Sequence, residues 1–317
     1  MKFFTLSILC TAFSISTLQA QLLTGSVKDK NENAIPFVNI GIPAKAFGII
    51  SDENGNFSFK QTSEKDMDTL QISCIGYQTL YMNFATFRMH CQTKAPIHLT
   101  EAVYTLATTT VRPNEFEVRT LGAKNVNDLE CITVEKLTVK DTAAQRIAKE
   151  KGLGEKSIGI EIGNKININK GHQTFIDKIE FKTCVGPKDT AIYRVNVYVE
   201  GNTVKRIMTP VGMVKVVNND NVLKEGIIVK AIGKTQVHSI DVSKQNIEVF
   251  DDFIVALECI YSSDTTMQIG AAASFFGSST DLLFRSSVMS EWVKIPLIDL
   301  TFIGATVTYN KKKTKKK

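Results

Sequence analysis

The chain is short of the groups that most often carry chemistry: four histidines, six cysteines and one tryptophan in 317 residues. No CxxC pair occurs, which removes the paired-thiol redox and zinc motifs. No GxSxG, no Walker loop and no GxGxxG after a strand pattern is present. The serine-hydrolase elbow, the P-loop and the dinucleotide fold go with them. After the first twenty residues no run reaches the ~18 apolar residues that a membrane helix needs. A basic excess is missing too. The formal net charge is +6, but taking away Lys2 and the six lysines of the last seven residues brings it to −1. A body of that charge has no cations to spare for displacing phosphate counterions, so no nucleic-acid partner is expected.

What is present begins with an export pattern. Lys2 precedes an apolar run, Phe3 to Phe13, and Leu18-Gln19-Ala20 ends in a small residue. Residues 1–20 are therefore expected to be a signal peptide, with Gln21 as the mature start and a periplasmic, outer-membrane or cell-surface location. Cys10 follows the bulky Leu9, which argues against lipidation. Five cysteines remain: Cys74, Cys91, Cys131, Cys184 and Cys259. An oxidising envelope permits one or two disulfides, with the pairing open. Cys74 and Cys259 share faces with apolar neighbours and read as core residues. The apolar content of 43% is ample for packed cores.

The stretch from Gly25 to Tyr77 organises the rest. Short extended runs flank a polar turn at Asp52-Glu53-Asn54-Gly55-Asn56. Val27, Phe37, Val38, Ile40, Phe57 and Phe59 supply an apolar face. The pattern Gly25-x-Val27-x-Asp29, Ala34 to Ile40, Gly48 to Phe57 and Ser73-x-Ile75-Gly76-Tyr77 resembles the carboxypeptidase regulatory-like domain. The resemblance covers roughly residues 22–100. It implies a transthyretin-like, Ig-like sandwich of about seven strands, a non-catalytic accessory module found on TonB-dependent receptors and other Gram-negative envelope proteins.

Beyond residue 100 the texture changes twice. Residues 101–157 read as a connector, with a short helix from Thr142 to Lys151 capped by Asp141. From residue 158 to 310 strand patterns recur at roughly ten-residue spacing. In one, Phe175, Ile179 and Phe181 share a face; in another, Tyr193, Val195, Val197 and Val199 do. Many strands and almost no helix predict a second, larger, jelly-roll-like sandwich. The expected fold is all-β: residues 21–100 and 158–310 form the two sandwiches, and 311–317 a solvated lysine tail. Lys311 to Lys317 offer peripheral contact with an anionic envelope surface.

Candidate chemistry is thin, and no catalytic, cofactor or metal residue is assigned. His98-Leu99-Thr100-Glu101 has the HxxE spacing of a metallocarboxypeptidase zinc site. A third ligand would have to come from His90, His172 or His238, none in a matching context. Asp52, Asn54 and Asn56 have calcium-type oxygens, but Gly55 falls at loop position four, so a hairpin turn at Asn54-Gly55 is expected instead. Ser262-Ser263 and Ser286-Ser287 lack a placeable histidine. Asp251-Asp252 reads as a turn. Trp292 is expected to be a buried core indole rather than a sugar platform. The reading is a non-catalytic exported module that binds a protein partner in the envelope, or, alternatively, a glycan through the second sandwich. No metallocarboxypeptidase activity and no cofactor is expected.

Overall fold

In a computed structural model, the described residues are 22–61, 64–103, 116–133, 158–199, 204–210, 212–217, 221–264, 267–274, 280–294 and 299–313. They are almost all strand, as expected. The helix expected at 142–151 lies outside them.

The N-terminal unit comprises β1 (Leu22–Lys28), β2 (Asn39–Ile42), β3 (Phe47–Ile50), β4 (Asn56–Lys60), β5 (Thr69–Ser73), β6 (Leu80–Asn83), α1 (Phe84–Thr93) and β7 (Ile97–His98). A three-stranded sheet, β4-β1-β7, faces a four-stranded sheet, β3-β2-β5-β6, giving the expected seven strands. Val27, Val38, Ile40, Phe59, Leu70 and Ile72 are fully buried between them. The ten-residue helix α1 was not foreseen. The Asn83 side chain caps it, accepting from Thr86 N at 2.8 Å. Phe84 and Phe87 on its buried face close the core, their rings 5.8 Å and 5.4 Å from Phe59. At 5.4 Å from Phe87, Phe57 packs there too.

Two details of this unit differ from expectation. Phe37 is only half-buried and lies outside the core; its backbone is left-handed, with φ +55°. The turn at Asp52–Asn56 is not a hairpin. β3 pairs with β2 while β4 pairs with β1, so this turn carries the chain from one sheet to the other. Asp52 closes it locally, its Oδ1 accepting from Asn54 N at 2.9 Å and Asn56 N at 2.8 Å. Gly55 belongs there because φ is +72° and a Cβ would meet the Val27 carbonyl oxygen at 2.6 Å. The local turn chemistry is as the sequence suggests; strand partners are chosen by burial of Phe57 and Phe59, which a dipeptide signal does not encode.

The second unit starts earlier than residue 158. β8 (Phe116–Gly122) and β9 (Glu130–Thr133) lie within the expected connector, yet β8 pairs with the last strand and β9 with the strand at Gln268–Ser274. After them come β10 (Glu161–Ile166), β11 (His172–Thr183), β12 (Thr190–Val199), the two-stranded ribbon β13 (Val204–Thr209) and β14 (Gly212–Val217), β15 (Ile227–Ile232), β16 (Gln236–Asp241) and β17 (Ile247–Val249). The unit ends with β18 (Phe253–Ser262), β19 (Gln268–Ser274), β20 (Thr280–Arg285), β21 (Val293–Lys294), β22 (Asp299–Thr301) and β23 (Ile303–Lys313). A six-stranded sheet, β15-β12-β18-β10-β20-β21, packs on an eight-stranded one built around β22-β19-β11-β23-β8. The core between them takes Ile179 and Phe181 from β11, Tyr193, Val195 and Val197 from β12, and Phe253, Val255 and Leu257 from β18. Half-turn alternation along each strand puts these residues on one face. β23 runs on to Lys313, which pairs with His172, so the first three residues expected as tail belong to a strand. Cys131 and Cys184 form a disulfide that ties β9 to the end of β11.

Candidate functional site: the seam between the sandwiches

The residues alternating with that core do not face water. On β12, Arg194, Asn196 and Tyr198 point away from Val195 and Val197, yet each is 3–4% exposed. The N-terminal sandwich and the segment 286–292 cover them. Arg194 Nη1 donates to the Phe37 carbonyl at 2.6 Å. Ser290 Oγ donates to the Ala46 carbonyl at 3.1 Å. Met289, almost fully buried, sits against Gly41 and Gly48, which are register partners on β2 and β3. A Cβ on Gly41 would lie 2.7 Å from the Met289 Cγ, so the two glycines leave the notch that this methionine fills.

At the centre of the seam four charged residues stand in one row across four strands. In register, Arg194 on β12 lies opposite Glu258 on β18, Glu258 opposite Glu161 on β10, and Glu161 opposite Arg285 on β20. All four are buried. Arg194 Nε donates to Glu258 Oε2 at 2.8 Å. Arg285 is ion-paired with Glu161. Asn196 Nδ2 bridges the two acids, donating to Glu161 and, at 3.1 Å, to Glu258 Oε2. Tyr198 OH donates to Glu161 Oε1 at 2.8 Å. The Arg285 guanidinium is sandwiched by rings, 4.3 Å from the Trp292 centroid and 4.8 Å from that of Tyr198.

Burying ions costs several kcal/mol apiece, and only paired, hydrogen-bonded geometry offsets it. The row has that geometry and no net charge. Burial raises the Glu161 carboxyl above its ordinary range, Arg285 opposing this and Glu258 adding to it. It also pushes the Tyr198 phenol well up. Burial works against the charge on Arg194, but the adjacent Glu258 more than restores it. Two atoms are left over: Arg194 Nη2 and Glu258 Oε1 are buried without a hydrogen-bond partner among the described residues.

Beside the row is a cleft of about 250 Å³. Arg194, Asn196, Tyr198 and Asn221 form its wall on the second sandwich, and Asn39, Gln71, Ser73, Cys74 and Tyr77 its wall on the first. Burial raises the Cys74 thiol, more than Arg194 lowers it.

The residues weighed from sequence are scattered instead. His98 Nε2 is 2.7 Å from Glu32 Oε1, so the HxxE pair is not assembled. His172 Nδ1 is 2.8 Å from the Asn310 carbonyl, and His238 Nε2 is 2.7 Å from Thr183 Oγ1. Among the described residues no three His, Cys, Asp or Glu converge for a metal. Asp252 is buried, receiving Ile168 N at 3.0 Å and facing Lys165 and Lys170. Ser263 Oγ accepts from Thr190 N at 2.8 Å and donates to Asp189. Ser287 and Ser290 serve the seam. Trp292 is buried, 7% exposed, and stacks on Arg285 rather than facing outward. Cys259 is a buried free thiol as expected, whereas Cys74 is half-exposed on the cleft.

The charge row was not foreseen, although a signal exists. β12 and β18 each carry a single charge within an apolar run, most plainly Phe253–Ile260 with Glu258 alone, whereas β10 and β20 each hold a second charge, Lys165 and Asp281. A continuous apolar run denotes a strand covered on both faces.

Together these observations define an all-β protein of two sandwiches closed on each other by a buried polar seam. Residues 23–111 match the family described as CarboxypepD_reg-like domain, and the N-terminal sandwich is a domain of that kind, regulatory-like and non-catalytic. The match runs about a dozen residues past the boundary expected at 100. No curated protein matches the chain. Solved structures with some likeness include that of infectious bursal disease virus Gx strain, at 11% identity and TM-score 0.24, spanning 91% of this chain and 64% of that one. The structure of infectious bursal disease virus Gt strain is similar at 10% identity and TM-score 0.24, over 91% and 63%. This chain thus spans less than two thirds of those chains, and likenesses of this degree carry no argument about it.

Proposed function

We propose that this protein is an exported, non-catalytic envelope module that docks a protein partner, with its two sandwiches acting as one body. The observation that carries the docking is on the β13–β14 ribbon. Met208 and Met213 are register partners there, and they are 74% and 61% exposed. Adjacent exposed methionines form a soft, adaptable apolar contact, the kind used at binding surfaces. The seam supports the two sandwiches acting as one body, because Arg194 bonds to Phe37 and Ser290 to Ala46 across it. The Cys131–Cys184 disulfide supports export, since such bonds persist in oxidising compartments. No helix among the described residues is long and apolar enough to cross a membrane, which leaves strand-spanning proteins unaddressed.

The test is site-specific photo-crosslinking from position 208 in intact cells, followed by fractionation. One discrete adduct in the envelope fraction, lost with Met213→Ser, is expected. An unprocessed chain in the cytosol, or crosslinks that ignore Met213→Ser, would overturn the proposal.

A further inference from the structure

The seam cleft is built as a binding site. Its volume of about 250 Å³ far exceeds the ~10–15 Å³ that one bridging water needs. Asn39 and Ser73 are cross-strand partners on β2 and β5, and Gln71 lies two residues along β5 from Ser73. Leu70 and Ile72 fill the core on the other face of that strand, so these three polar side chains look outward, onto the cleft. Across from them Arg194, itself 3% exposed, keeps Nη2 without a hydrogen-bond partner among the described residues. A buried donor left unpaired is costly, and an occupant able to accept from it recovers that cost.

The electrostatics choose the class of occupant. Arg194 is already neutralised by Glu258 at 2.8 Å, and the row as a whole carries two cations and two anions. A second anion placed there would meet Glu258 with no spare positive charge. A cation would meet Arg194. The groups facing it include the carboxamides of Asn39 and Gln71, the hydroxyls of Ser73 and Thr79 and a guanidinium edge, which match hydroxyls that both donate and accept. Tyr77 adds a ring wall. We propose that the cleft binds an uncharged polyhydroxylated molecule of monosaccharide size. This is independent of docking through Met208 and Met213, and it places a sugar away from Trp292.

The test is isothermal titration calorimetry of the full mature chain with glucose, galactose, mannose and N-acetylglucosamine, and with glucuronate as the charged counterpart. At least one neutral sugar should give saturable heat. Gln71→Ala with Ser73→Ala should weaken it about tenfold or more, as loss of one or two hydrogen bonds implies, with an unchanged melting midpoint. The same sugar should slow maleimide modification of Cys74 saturably, while Cys91 and Cys259, being buried, do not report. Absence of saturable heat with all four sugars overturns the proposal. So does binding that survives the double substitution, an unprotected Cys74, or glucuronate bound more tightly than glucose.

Discussion

Arg194 and Phe37 are separated by 157 positions in the chain and joined by a 2.6 Å hydrogen bond from a guanidinium to a backbone carbonyl. The bond links the charge row of the second sandwich to the rim of the first. Phe37 holds a left-handed backbone, a conformation that costs a bulky residue about 1–2 kcal/mol and persists where surroundings over-determine it. The seam is therefore part of how each sandwich is held, not only of how they meet.

Breaking the row on one side should be far worse than removing it. Arg194→Met leaves Glu258 buried without its cation and should destabilise by about 3–5 kcal/mol. Arg194→Met with Glu258→Leu should recover most of that loss. Denaturant midpoints of the two singles and the double measure the coupling. A double variant as unstable as the sum of the singles would show that the pair is not a unit.

At the inter-sheet turn, Gly55→Ala should cost about 1–3 kcal/mol. The residue sits at φ +72° and a Cβ would lie 2.6 Å from the Val27 carbonyl oxygen. Gly76→Ala is the control, since φ there is +90° but nothing lies within 4 Å. The backbone term is common to both, so the larger loss at Gly55 reports the steric contact. Equal midpoints for the two variants would contradict it.

The disulfide should stabilise on the scale set by its loop, a scale that grows only with the logarithm of loop length. Cys131 and Cys184 are 53 residues apart, and a bridge of that span typically contributes roughly 2–4 kcal/mol. Cys131→Ser should lower the melting midpoint, and dithiothreitol should lower that of the natural chain but not of the variant.

Acid should loosen β16 through His238. Burial holds this imidazole below the ordinary histidine range, with Thr183 on Nε2 and Phe181 beside the ring. The unfolded chain then takes up the proton first. This contribution to stability is complete above about pH 6.5, the unfolded value, and is lost as pH falls through the folded one. His238→Gln should flatten the stability profile in that window. A profile unchanged by the substitution would assign the acid loss elsewhere.

The C-terminal lysines divide between two roles. Lys313 at the end of β23 is the register partner of His172 on β11, and Lys311 lies 3.8 Å from Glu117. Deleting 314–317 should leave stability unchanged, whereas deleting 311–317 should lower it by about 1 kcal/mol, the scale of a lost hydrogen bond or two at a strand end. Both deletions should reduce co-sedimentation with phosphatidylglycerol vesicles at low salt, at about 1 kcal/mol per lysine. Equal sedimentation by the full chain and the longer deletion would assign the attachment to the folded body.

Much of the fold was legible because it rests on local rules. Alternation places Tyr193, Val195 and Val197 in one core and Val27, Ile40 and Phe59 in the other, and these rules act within a few residues. Helix α1 escaped because Phe84-Ala-Thr-Phe87 is as strand-like as it is helical, and its docking onto Phe57 and Phe59, together with the Asn83 cap, selects the helix.

Period two says that Arg194, Asn196 and Tyr198 lie opposite the core, and nothing in the chain says what covers that side. Solvation would leave them a solvated polar face. Docking of a sandwich more than a hundred residues away turns the same positions into a buried charge row, because desolvation makes pairing obligatory. Which residues are polar was settled by the sequence itself; that their polarity is spent inside a seam, beside a cleft, was decided only when the two sheets met.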